Sequence, residues 1–106
     1  MIQRSGRKRA VVDRVHAATA AEMFKSLSDP TRLRILLSLK AGERCVHELC
    51  AATAVSQPAV SHALQRLRAA RLVRARRDGR EIFYSIQDEH VMSLVDSALA
   101  HAAEQA

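Results

Sequence analysis

Ser56-Gln57-Pro58-Ala59-Val60-Ser61-His62-Ala63-Leu64-Gln65-Arg66-Leu67-Arg68, followed by Ala69-Ala70-Arg71-Leu72-Val73, is the stretch from which the rest of the chain can be read. Ser56 suits an N-cap, Pro58 suits the first turn of a helix, and Val60, Leu64 and Leu67 return at helical spacing. One face of this helix is therefore apolar. The other carries Gln57, Ser61, His62, Gln65, Arg66 and Arg68. These residue types reach base edges and phosphates but offer no obvious reaction chemistry. The pattern is that of a DNA recognition helix.

The flanking segments agree with it. Val46, Leu49 and Cys50 define a short helix over about 46–53, and the link Ala54-Val55-Ser56 joins it to the recognition helix as in a helix-turn-helix. Beyond the helix, residues 72–76 and 81–86 read as strands, with Asp78-Gly79 offering the residues of a tight turn. A hairpin in that position is a wing. Arg74, Arg76, Arg77 and Arg80 surround its tip, more positive charge than solvation requires, and they suit phosphate or minor-groove contact.

Upstream, Val11, Val12, Val15, Ala18, Met23, Phe24 and Leu27 predict a helix over 10–27 that packs on more than one side. Ser28-Asp29-Pro30 caps the next helix, which runs to the break at Gly42. Asp88 caps a last helix reaching about Glu104, with Val91, Leu94, Val95, Ala98 and Leu99 as its apolar stripe. Residues 1–9 are basic and without period, so they are expected to form a flexible arm ahead of one domain over 10–106.

The 106 residues hold 17 Lys and Arg against 11 Asp and Glu, a net charge of +6, and most of the cations are arginine, whose planar fork suits phosphate. With no Trp, one Tyr and two Phe, the core must come from Leu, Val, Ile and Ala, which favours helices and leaves room for a partner subunit. Two cysteines five positions apart give no disulfide framework and suit a reducing compartment. No segment approaches the roughly 20 apolar residues of a membrane span. A cytoplasmic protein without membrane contact is expected.

Three runs then carry a family likeness: residues 27–36 (Leu-Ser-Asp-Pro-Thr-Arg-Leu-Arg-Ile-Leu), the recognition helix, and residues 79–86 (Gly-Arg-Glu-Ile-Phe-Tyr-Ser-Ile). With them the chain resembles the ArsR/SmtB family of winged-helix, metal-responsive repressors over nearly its whole length. The expected fold is mainly α with a small β-hairpin: a winged helix-turn-helix of four helices, two strands and a fifth helix. The resemblance implies a homodimer through the first and last helices. It also implies repression in the metal-free state and release of operator DNA when metal binds.

The last helix holds a constellation that stands without the resemblance. Asp88, His90, His101 and Glu104 are first-row metal ligands, and imidazole with carboxylate suits Zn(II), with Co(II) or Ni(II) as alternatives. His90 and His101 are eleven residues apart, so they share a face but stand roughly 16 Å apart along the axis. One chain cannot bring them to one ion. Two such helices packed antiparallel across a twofold axis can, joining Asp88 and His90 of one chain to His101 and Glu104 of the other. Their spacing also resembles the metal site of the last helix in the zinc-sensing branch of the family.

A second metal or redox site is suggested by Cys45, His47, Glu48 and Cys50, with His16 reaching in from a partner. Thiolate-sensing relatives carry Cys-Val-Cys-Asp-Leu where this chain has Cys45-Val46-His47-Glu48-Leu49, and His47 in place of a cysteine departs from a soft-metal site. Packing of both cysteines as small apolar residues is the alternative.

The leading reading is a dimeric repressor on an inverted-repeat operator, with Gln57, Ser61, His62 and Gln65 at bases and Arg66, Arg68 and the wing arginines on phosphates. A regulator gated by cysteine oxidation, by a thiolate site at Cys45, or by no ligand is the second. A metal hydrolase is the third and is disfavoured, since a closed four-ligand site leaves no open coordination position. The chain is expected not to be an enzyme.

Overall fold

The computed structural model describes the backbone of residues 2–105 and the side chains of residues 13–105. Chain order is α1 (Ile2–Leu27), α2 (Pro30–Ser38), β1 (Arg44–Cys45), α3 (Val46–Thr53), α4 (Gln57–Ala69), β2 (Val73–Asp78), β3 (Glu81–Ile86) and α5 (Glu89–Glu104). This is the expected winged helix-turn-helix with one added element, β1. Two residues carry no periodicity, and only pairing with β3 makes a strand of them. The three strands run antiparallel in the order β1-β3-β2.

The core lies where α4 meets its neighbours. Val60, Leu64 and Leu67 are fully buried against Ile35 and Leu36 of α2, Leu49 of α3, and Leu72 and Val73 at the start of the wing. Burying each such side chain contributes about 1.5–3 kcal/mol. The apolar stripe of α4 therefore binds all four elements to one centre. No helix among the described residues is long and apolar enough to cross a membrane.

Helix ends are set locally. Asp29 N-caps α2, its Oδ2 accepting from Arg32 N at 2.9 Å, with Pro30 behind it. At α3 the cap is less usual: Cys45 stands at the N-cap and Glu48 Oε1 accepts from its backbone N at 2.9 Å. Ala54 closes α3 in the left-handed region, φ 58°, with its N–H on Cys50 O at 2.8 Å. An Arg34 guanidinium also donates to Thr53 O, tying α2 to that turn. Ser56 holds the N-cap position of α4 without a side-chain capping bond.

Four expectations need adjustment. α1 starts at Ile2, so its helix takes in the backbone of the basic stretch expected as an arm; arginine, lysine and glutamine are good helix formers. The side chains of that stretch lie outside the described residues. Among its described side chains, α1 buries Leu27 and part of Met23 within one chain, while Val15 and Phe24 face solvent. On α5, Val91 and Val95 are buried, whereas Leu94 and Ala98 are exposed. Finally, Asp78 pairs with Glu81, so the hairpin turn is Gly79-Arg80, one residue later than expected, with Gly79 supplying φ 64°.

The Glu48 carboxyl is held below its ordinary range by hydrogen bonds from Cys45. Its stabilising effect is therefore present above the ordinary glutamate value of about 4.3 and lost as pH falls through the depressed one. Glu48→Ala should be less stable than the native chain in urea denaturation at pH 7, and the gap should narrow at about pH 3. An equal gap at both values would show that the charge of the cap contributes nothing.

Candidate nucleic-acid interface and metal ligands

With Val60, Leu64 and Leu67 turned inward, α4 turns Gln57, Ser61, His62, Gln65, Arg66 and Arg68 outward, and all six are exposed. Grooves flank the helix on both sides. One lies toward the wing and is lined by Ser61, Gln65, Arg68 and Tyr84; the other lies toward α1 and is lined by Glu22, Ser26, Gln65 and Arg66. His62 and Gln65 border both, so they occupy the ridge of the surface. The free amides at the start of α4 add a partial positive charge suited to a phosphate.

Of the wing arginines, Arg74, Arg77 and Arg80 are exposed and make no ion pair among the described residues. Arg76 differs. Its Nε stands 3.0 and 2.9 Å from the two carboxylate oxygens of Glu43, its Nη2 donates to Oε1, and Asp78 lies 3.7 Å from Nη1. The guanidinium holds the Glu43 carboxyl below its ordinary range.

The α5 ligands form two local pairs. His90 Nδ1 is 3.6 Å from Asp88 Oδ1, and His101 Nδ1 is 3.6 Å from Glu104 Oε2. Donors about 2.0–2.1 Å from a tetrahedral ion stand about 3.3 Å from one another. Both pairs therefore fit a first-row cation with little rearrangement, and their nitrogen and oxygen donors suit it chemically. They sit at opposite ends of the helix, and all four side chains are at least half exposed. Asp88 has a second task, because its Oδ1 accepts from Val91 N at 3.1 Å and caps α5. Just before it, Gln87 N donates to Leu72 O at 3.0 Å, which anchors the start of α5 to the segment that follows α4.

The second set is divided. Cys45 Sγ lies 3.2 Å from His47 Nδ1, and the same nitrogen lies 3.5 Å from Glu81 Oε1, so the three ligand atoms fall within 4.8 Å of one another. Glu48 is occupied by its capping bond, Cys50 packs against the core, and His16 is exposed on α1. Burial pushes the Cys45 thiol above its ordinary range. Glu81 was not foreseen. It joins the cluster through strand register, two positions from the Phe83 that pairs with Cys45, and nothing in linear spacing announces this.

The chain is similar in sequence and fold to known proteins. Residues 29–75 match the family model described as bacterial regulatory protein, arsR family. The chain is 48% identical over 88 residues to a transcriptional repressor SmtB homolog of Synechocystis sp., covering 83% of this chain and 67% of that protein. It is 40% identical over 88 residues to a cadmium resistance transcriptional regulatory protein, a CadC homolog of Staphylococcus aureus, covering 81% and 72%. It spans about two thirds of the length of the repressors named SmtB that it matches. Its fold is similar to the homodimeric winged helix-turn-helix DNA-binding domain Mb0332 of Mycobacterium bovis, with a TM-score of 0.79, 34% identity, and coverage of 87% and 85%. These proteins are named as regulators, which leaves the hydrolase reading without support. The chain belongs to the ArsR family of bacterial regulatory proteins.

Proposed function

We propose that this chain is a homodimeric transcriptional repressor that holds an inverted-repeat operator when metal-free and releases it on binding Zn(II), or a similar ion such as Co(II) or Ni(II), at two sites between the α5 helices. One observation carries the reading: two ready-spaced ligand pairs stand at opposite ends of α5, too far apart to share an ion within one chain. Asp88 and His90 then act with the partner subunit's His101 and Glu104. Bound metal would supply only a charge-neutralising tie between the two helices.

Support for the dimer comes from apolar surface without a cover. Val15 is 69% exposed, Phe24 55% and Leu94 37%, all on α1 or α5. The radius of gyration, 16.3 Å, exceeds the roughly 13 Å of a compact chain of this length. Gln57, Ser61, His62 and Gln65 would meet base edges, while Arg66, Arg68, Arg74, Arg77 and Arg80 meet phosphates. The Gln87 bond to Leu72 offers a short mechanical route from the Asp88 end of α5 to α4. Metal shifts the equilibrium only by binding the DNA-incompetent dimer more tightly.

A second metal reading is favoured by the Cys45, His47 and Glu81 cluster, whose spacing also suits a tetrahedral ion. Burial pushes the Cys45 thiol above its ordinary range, so oxidation and metal binding at this sulfur both work against the loss of its proton.

Operator affinity by fluorescence anisotropy tests the first reading. Stoichiometric Zn(II) should weaken binding of the native chain by about 5–150-fold, and His90→Ala and His101→Ala should lose that response. Unchanged affinity in the native chain would remove the zinc switch. Co(II) spectroscopy tests the second reading, since only a thiolate ligand gives a sulfur-to-cobalt charge-transfer band in the near ultraviolet. The band should survive His90→Ala and vanish in Cys45→Ala and Glu81→Ala; no band in the native chain would exclude the cluster as a site.

A further inference from the structure

Among the described residues, Arg76 is the one wing arginine in an ion pair. Cys45, Phe83 and Arg76 form a single transverse row of the sheet, Cys45 paired with Phe83 and Phe83 with Arg76. Neighbouring strands stand about 4.8 Å apart, so a side chain on β2 must cross about 10 Å to reach the far side of β3. Arg76 makes that crossing. Its guanidinium lies over the Phe83 ring, 5.0 Å from the centroid, and forks onto Glu43, the residue immediately before β1.

The crossing matters because of what β1 joins. It gives only two residues to the sheet, and its Cys45 is also the N-cap of α3. The wing is thus attached to the α3 side of the helix-turn-helix through a two-residue pairing, while its root at Leu72 and Val73 packs in the core around α4. Exposed ion pairs contribute little as a rule, but a bidentate fork whose cation rests on an aromatic ring is better fixed than a single contact.

We propose that the Arg76–Glu43 fork is a brace across the three strands that sets the angle of the wing relative to α3 and α4, so that Arg76 is a positioning residue for DNA binding and not a phosphate contact. This rests on the reading of the chain as an operator-binding protein. Phosphate contact from the wing falls to Arg74, Arg77 and Arg80. The two roles predict opposite signs for Glu43. An acid that is merely solvated near DNA repels phosphate, and its removal tightens binding. An acid that holds the wing in place weakens binding when removed.

The test uses the full chain and a duplex that it selects from a random pool, with affinity measured across a salt series. Glu43→Ala should weaken binding about fivefold, with the salt slope unchanged, and Arg76→Gln should do the same. Arg77→Gln should instead lower the slope by about one. The exchanged pair, Glu43→Arg with Arg76→Glu, should recover most of the affinity. Hydrogen exchange of the wing amides in the DNA-free protein should be faster in Glu43→Ala. Tighter or equal binding by Glu43→Ala, or a slope lowered by about one in Arg76→Gln, overturns the brace. If the native chain selects no duplex, the operator reading fails on its own, and the brace is judged by exchange alone: equal wing protection in Glu43→Ala then overturns it.

Discussion

The burial of Val60, Leu64 and Leu67 is the constraint on which the rest of the molecule depends. These side chains are 0–1% exposed and hold α4 to α2, α3 and the root of the wing. Because α4 can present only one face inward, the same burial decides what faces out: Gln57, Ser61, His62, Gln65, Arg66 and Arg68. Truncating Leu64 or Leu67 to alanine would leave a cavity costing about 2–5 kcal/mol, a large share of the stability of a domain this size. The polar face has no such constraint. Its residues serve the fold little, which is the reason to look for their purpose outside it.

The α5 residues proposed to hold metal are mounted differently. Asp88 caps α5, and its neighbour Gln87 is bonded to Leu72, so the N-terminal end of α5 is fixed to the segment leaving α4. The C-terminal end, with His101 and Glu104, makes no comparable attachment among the described residues. Within the proposal, a tie between these two unlike ends across a dimer would act between a point that is rigid with respect to one reading helix and a point that belongs to the partner. The tie can then change how the two α4 helices are spaced without deforming either. A packed interface with two discrete arrangements suits such a switch better than continuous bending.

What the sequence made legible was local. Proline starts, acidic caps and apolar stripes placed α2, α3, α4 and α5, because helices are decided by residues three and four apart. The α5 ligand pairs were visible for the same reason, at steps of two and three residues. What escaped was set by register between strands. Two paired residues make β1, the Asp78–Glu81 pairing moves the turn by one, and the same sheet brings Glu81 to Cys45 and Arg76 to Glu43. None of these contacts has a sequence period. The left-handed positions after α3 and α4 are equally silent, since they fall on Ala54 and Arg71 and not on the glycine that would have marked them.

The central claim, that each metal site is completed by both chains, can be tested by mixing two inactive halves. In a heterodimer of a His90→Ala chain with a His101→Ala chain, one site keeps Asp88 and His90 from the second chain and His101 and Glu104 from the first, while the other site loses both histidines. Native mass spectrometry and zinc competition on the mixed dimer should find one tightly held ion, absent from either variant alone. If the mixed dimer binds zinc no better than its parents, the ligands are not shared between chains, and the coupling of α5 to the recognition helices must be sought elsewhere.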